Sequence, residues 1–250
     1  MSREESGRPC VVMLYPGRSA EDEFPALESH LGGVRLPVVH TWEGPTEHSV
    51  RALRALGGRD QLAPAAAKAR RQHQPDAVVW ACTSGSFVYG PDGVREQAQW
   101  MASAAEVPAS STSIAFLESL RALGARRVSV AATYPAAVTR HFTDLLASDG
   151  VAVCAVTSGD VPSGEDAGLL DPGQVTELVL GGGHPDEAEA VVVPDTALHT
   201  IGRIADWEVE LGRPVLTANQ VSAWHGLRLA GWQGSTPGLG ALFANGTGAA

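Results

Sequence analysis

Basic residues are scarce in this chain. Lys and Arg number 18 against 28 Asp and Glu, giving a net charge of −10 over 250 residues. A nucleic-acid partner needs a basic face, so that class is excluded. The same balance gives no long-range steering of an anionic substrate, so an anion site must rely on local donors. Long apolar runs are also missing, and no segment approaches a membrane span. The head MSREESGRPCVVMLYPG is mixed in charge, and its apolar run from Val11 to Tyr15 is too short for a secretory signal. Cysteine is sparse: Cys10, Cys82 and Cys154 are odd in number and widely spaced. They read as reduced thiols of a cytoplasmic protein, not as a disulfide framework. Without CxxC or HExxH spacing, no metal site is expected. GGGH (181–184) lacks a GxGxxG context after a strand, so no nucleotide loop is read there. Aromatics make up only 6% of the chain, leaving Ala, Gly and Val to carry much of the apolar load. That leans towards α/β packing, with a substantial core at 44% hydrophobic content.

Short apolar strand patterns alternate with helical ones. Strands are expected at 11–15, 34–42, 77–81, 126–133, 151–156, 190–194 and 213–218. Helices are expected at 48–72, 113–124, 136–150, 172–180 and 219–231, with one more between the last two strands. This alternation predicts parallel sheets covered on both faces. The N-terminal dozen residues and the tail NGTGAA are expected to fray.

The chain also repeats itself. RPCVVMLYP (8–16) aligns with RVSVAATYP (127–135), DAVVWAC (76–82) with EAVVVPD (189–195), and SSTSIAFLESLRALG (110–124) with TANQVSAWHGLRLAG (217–231). Three matches in one order predict two pseudo-symmetric α/β halves, each a mainly parallel sheet flanked by helices. The halves are read as 1–124, carrying Cys82, and 125–250, carrying Asp195, with the last helix free to cross back. The carboxyl ends of the strands then face one cleft, where open α/β sheets bind ligands. Cys82 and Asp195 occupy equivalent positions on its opposite walls.

Cys82 ends a buried strand and opens the loop TSGS. A cysteine there can be an inert core residue. At the start of a helix, however, the dipole would favour the thiolate and lower its pKa, which suits a catalytic group. Thr83 and Ser84 are turn formers whose hydroxyls and N–H groups also suit a substrate carboxylate. Asp195 precedes TALHTI and reads equally as a helix N-cap or as a general acid/base. Thr196 follows Asp195 as Thr83 follows Cys82, and could hold a second carboxylate. His199 and Arg18 are left outside the core site. Trp207, Trp224 and Trp232 read as packing residues.

The segments YPGRSAEDEFPALE, ACTSGS, ATYP, VVPDTALHT and WEVELGRPVLTANQVSAWHGLRLAG together resemble a known group. It is the maleate cis–trans isomerase and arylmalonate decarboxylase family of the aspartate/glutamate racemase superfamily. The resemblance covers most of the chain. It implies a cofactor-free enzyme with its site between two halves, a small carboxylate substrate, and a homo-oligomer. In such racemases two cysteines face the substrate from opposite sides. Similar isomerases keep both and use the first as nucleophile, whereas similar decarboxylases keep the second. Here Cys82 matches the first, and Asp195 stands where the second is expected. Ser19 replaces the usual Asn of the N-terminal motif. Tyr134 is implied to help bind a carboxylate.

The leading expectation is an isomerase of a small unsaturated dicarboxylate, maleate isomerase-like, with the Cys82 thiolate adding to the C=C bond. The alternative is a decarboxylase or racemase working through an enediolate, with Cys82 as proton donor. A third reading is a non-catalytic small-acid binding or accessory protein.

Overall fold

The structure is a computed structural model that describes residues 7–182 and 184–244. Among the described residues, eight strands form two four-stranded sheets. The first holds β1 (Val11–Pro16), β2 (Val38–Trp42), β3 (Ala77–Trp80) and β4 (Ala109–Ser111) in the order β2-β1-β3-β4. The second holds β5 (Arg127–Ala132), β6 (Ala152–Ser158), β7 (Ala190–Val193) and β8 (Val215–Thr217) in the order β6-β5-β7-β8. Every pairing is parallel. The central strands VVMLYP, AVVW and AVVV are buried throughout, as expected of strands covered on both faces. Among the described residues, no helix is long and apolar enough to cross a membrane.

The two sheets share one topology, so the repeat is structural. β3 ends at Trp80 and β7 at Val193, so Cys82 and Asp195 both lie two residues beyond the ends of equivalent strands. The Tyr-Pro match does not survive. Leu14 pairs with Trp80, whereas Val130 pairs with Val192, which makes Ala131 the counterpart of Leu14. Tyr15 therefore lies within its strand, and Tyr134 lies two residues beyond β5. The helices Thr112–Leu123 and Ala218–Leu229 are equivalent and both are capped from the preceding strand. Ser111 accepts from the Ile114 N–H, and Thr217 forms a reciprocal capping box with Gln220.

These two helices join the halves. Thr112 and Ser222 share a hydroxyl hydrogen bond of 2.7 Å. Gly226 lets the second helix lie against the first sheet: a Cβ there would fall 2.6 Å from Val11 Cγ1 and 2.8 Å from Val79 Cγ2. The largest core cluster accordingly mixes Val11, Met13 and Val79 with Val128, Val130 and Leu216. Trp207 is fully buried against the second sheet, and Trp224 and Trp232 flank Arg228 at ring distances of 5.6 and 5.2 Å.

Several expectations need correction. The helix expected over 48–72 is two helices, Val50–Leu56 and Arg59–His73. The chain breaks at Gly57, where a Cβ would sit 2.3 Å from the Gly85 carbonyl and 2.7 Å from the Trp80 ring. Helices Glu23–Leu31 and Gly90–Ala105 occupy stretches with no helix expected. The buried stripe of the latter, Val94, Gln97, Met101 and Ala105, is disguised by its glutamine. No helix starts at Asp195: Thr196 and Ala197 form a turn, and helical structure resumes only at Ile201–Arg203. The fraying expected of the first dozen residues is wrong from Cys10 onward, because Cys10 bridges Arg35 and Val11 opens β1. Residues 1–6, Gly183 of the GGGH stretch and the NGTGAA tail lie outside the described residues.

Candidate active site

The loops that follow β1, β3 and β7 meet over a small, half-open cavity. It measures about 30 Å³, room for about two waters. Cys82 and Ser84 line it from the first half, and Asp195, Thr196 and Ala197 from the second. Tyr15, Pro16 and Ser19 contribute from β1 and its loop, and Leu53 and Leu56 form an apolar wall. Thr46, His48 and Gly164 complete the lining.

Cys82 is 4% exposed. The helix that follows it, Ser84–Phe87, is only four residues long. The N–H groups of Gly85 and Ser84 and the Ser84 hydroxyl approach the sulfur and favour the thiolate, but burial outweighs them. The Asp195 carboxylate adds to the upward push, and the thiol is raised from 9.0 to about 12. The expectation of a lowered pKa is therefore wrong: desolvation dominates over one short helical turn.

Asp195 is held from two sides. The Thr133 hydroxyl donates to Oδ2, and the Ala197 N–H donates to Oδ1 at 2.9 Å. This is the local geometry of an Asx turn, not a helix cap. Thr196 presents its carbonyl to the Tyr15 hydroxyl at 2.8 Å, while the Ala20 N–H donates to the same phenol at 3.1 Å. Burial raises the Tyr15 pKa well above its ordinary value.

Thr83 and Tyr134 stand behind the cavity wall. The Tyr134 hydroxyl donates to the Pro194 carbonyl at 2.8 Å and is flanked by the Ser84 and Thr83 hydroxyls. Burial, followed by Asp195, raises its pKa strongly. Thr83 Oγ1 is buried without a partner, and the Thr83 carbonyl accepts from Ser113. Ser19 reaches the cavity, its hydroxyl donating to the Gly164 carbonyl at 3.2 Å and its N–H to Glu21 at 2.7 Å. His199 pairs with Asp22 and Arg18 with Glu43, both at the exposed surface and away from the cavity lining. Among the described residues no cluster of three or more His, Cys, Asp or Glu forms a metal centre.

Four contributors escaped the sequence reading. Glu23 is buried, and Oε1 accepts from the N–H groups of Thr200 and Ile201 at 2.5 and 2.6 Å. Its Oε2 accepts from Asn219 at 2.8 Å, and the same amide donates to the Thr196 carbonyl at 3.1 Å. Burial lifts this carboxyl to about 6 against the pull of its donors. Thr46 and His48 belong to a segment that clasps the second half. Glu47 and Ser163 form an antiparallel bridge, the Gly164 N–H donates to the Thr46 carbonyl, and Thr46 donates to Glu165. Asn219 had a signal, being part of the TANQ stretch in the family resemblance. His48 and Thr46 had none, because they lie in an irregular segment whose partner is more than a hundred residues away.

Comparison with known proteins places the chain in a family. The arylmalonate decarboxylase family model matches residues 59–243. The chain belongs to the arylmalonate decarboxylase family. It is 30% identical to the arylmalonate decarboxylase of Bordetella bronchiseptica over 178 residues, covering 70% of this chain and 74% of that one. It is 27% identical to the maleate isomerase of Alcaligenes faecalis over 143 residues, covering 56% of this chain and 55% of the relative. The fold matches a maleate cis–trans isomerase of Nocardia farcinica, a cysteine-to-serine mutant with a covalently bound succinylcysteine intermediate. That match has a TM-score of 0.84 at 23% identity, covering 95% of this chain and 99% of the other. This member of the arylmalonate decarboxylase family thus has enzymes of small carboxylates as its relatives.

Proposed function

We propose that this protein decarboxylates a small activated malonate-type acid and that Cys82 protonates the resulting enediolate. The observation that carries the reading is the burial of Cys82 opposite Asp195 in a small cavity. A thiol with a pKa of about 12 is an acid at neutral pH and a poor nucleophile. In the proposed step the bond from the α carbon to one carboxylate breaks and CO2 departs. The electron pair stays on the α carbon and spreads onto the remaining carboxylate. The Cys82 S–H then delivers its proton to that carbon, and the thiolate regains one from water. N–H groups at Ser84 and Gly85 suit the developing enediolate charge, since the thiol is a weak acceptor that a substrate oxygen displaces. Leu53, Leu56 and Asp195 make a poor environment for a second carboxylate, and its loss as neutral CO2 relieves that. The pocket is small for such a substrate as it stands, and parting of the Thr46–Gly164 clasp in its lining would widen it.

A second reading has its own support. The donors at Cys82 favour a thiolate, and a bound cysteine adduct is named for the Nocardia isomerase. By this route the thiolate adds to the C=C bond of an unsaturated dicarboxylate, the new single bond rotates, and elimination gives the trans isomer. Proton NMR in deuterated buffer separates the two, using phenylmalonate and maleate with a Cys82→Ala control. Loss of one carboxyl group with one α-deuterium, only when Cys82 is present, supports decarboxylation. Fumarate from maleate supports isomerisation and overturns the first reading.

A further inference from the structure

We infer that His48 is the cationic partner of the substrate's carboxylate, its Nε2 taking up a proton as the anion binds. The inference rests on the acidic substrate class proposed above, but not on which bond is broken. Among the described residues no Lys or Arg lines the cavity, and its second wall carries the Asp195 carboxylate. The Ala197 N–H, which pseudo-symmetry would offer to a second anion, already donates to Asp195 Oδ1. A carboxylate entering this space therefore adds like charge to a poorly solvated site with one backbone anion nest left, at Ser84 and Gly85.

His48 is the lining side chain able to become positive. It is 7% exposed and fixed by the opposite half: its N–H donates to the Pro162 carbonyl at 2.8 Å, and Nδ1 meets the Val161 carbonyl at 2.8 Å. A carbonyl only accepts, so Nδ1 carries a hydrogen in either charge state. Nε2 is left as the polar ring atom without a partner among the described residues. The ring is steadied edge-on against Tyr134 at 4.8 Å and 79°. When neutral, Nε2 is an acceptor and repels a carboxylate oxygen; when protonated, it donates to one. The other titratable groups lining the cavity are Tyr15, Cys82 and Asp195, and behind it stand Tyr134 and Glu21, whose carboxylate accepts from the Ser19 N–H and meets His40 outside the lining. Each is neutral or negative, and Glu165 beside the clasp is engaged by Thr46. None of them can supply the missing positive charge. His48 would thereby select acids over their amides and esters.

Calorimetric titration of malonate into the full chain at pH 8, in HEPES and in Tris, tests this. If Nε2 gains a proton as the anion binds, binding should take up about one proton per malonate, read from the difference between buffers. His48→Gln should abolish the uptake and weaken malonate about ten- to a hundredfold, the scale of one charge-assisted hydrogen bond. Its melting temperature should stay near wild type, and malonamide should bind both proteins equally. Absence of proton uptake, uptake that persists in His48→Gln, or failure of malonate to bind the wild type would each overturn the inference. Proton-coupled binding without turnover in the NMR panel would instead sink the proposed reaction and leave His48's role intact.

Discussion

The reactivity of Cys82 separates acid from nucleophile, and its size follows from the structure. Burial beside Asp195 raises the thiol from 9.0 to about 12. At pH 7 the thiolate fraction then falls from about one in a hundred to about one in a hundred thousand, roughly a thousandfold. Alkylation goes through the thiolate, so its rate should fall by up to about that factor relative to an ordinary thiol, partly offset because a thiolate of higher pKa is the stronger nucleophile. Limited access alone would also slow the reaction, so the telling quantity is the pH profile. Iodoacetamide labelling followed by peptide mass spectrometry reads each cysteine separately, with half-buried Cys154 as an internal reference. The Cys82 rate should climb tenfold per pH unit up to the highest pH at which the fold persists. Asp195→Asn keeps the shape but removes the charge, and should move the Cys82 profile to lower pH. A wild-type plateau near pH 7 would refute the reasoning, since a preformed thiolate is incompatible with a proton donor. It would restore the nucleophilic reading.

Three further perturbations probe the frame around the site. Burial raises the Glu23 carboxyl from 4.5 to about 6, so the native state holds a proton that the unfolded chain has released. The resulting stability is complete below about pH 4.5 and lost as pH rises through 6, about 2 kcal/mol in all, and Glu23→Gln should flatten that slope in urea titrations. Identical slopes would count against a desolvated carboxyl. Gly226→Ala should lower stability by about 1–3 kcal/mol from overpacking against Val11 and Val79, offset by about 1 kcal/mol of helix propensity. A net gain in urea midpoint would mean the helix stands farther from the sheet. Glu165→Ala removes the acceptor that ties down Thr46 at the clasp. The pair is partly exposed, so stability should change by about 1 kcal/mol or less while Cys82 alkylation accelerates; unchanged labelling would argue that access lies elsewhere.

Much of the fold was legible because strands and helices leave local patterns. The runs around Val12, Val79, Val130 and Val192 mark buried parallel strands without reference to the rest of the chain. The third repeat segment locates both joining helices, whose caps at Ser111 and Thr217 are local chemistry. The failures share a cause as well. The break at Gly57 exists because Gly85 and Trp80 approach from another part of the chain. The Tyr-Pro match misleads because sequence likeness does not carry register, which neighbouring strands set.

For the site, the sequence by itself determined which groups stand on opposite walls, because Cys82 and Asp195 each follow an equivalent strand by two residues. It also determined the scarcity of positive charge that any anion must contend with. Only the tertiary structure decided the protonation of Cys82, because desolvation depends on everything packed around the sulfur, whereas the helix-start argument weighs only its neighbours in the chain. Only the tertiary structure brought His48 and Thr46 to the cavity and Glu23 to the N–H groups of Thr200 and Ile201. Their partners, Val161, Glu165 and Thr200, lie more than a hundred residues away, at a separation where no local pattern survives and contact depends on how the two sheets close.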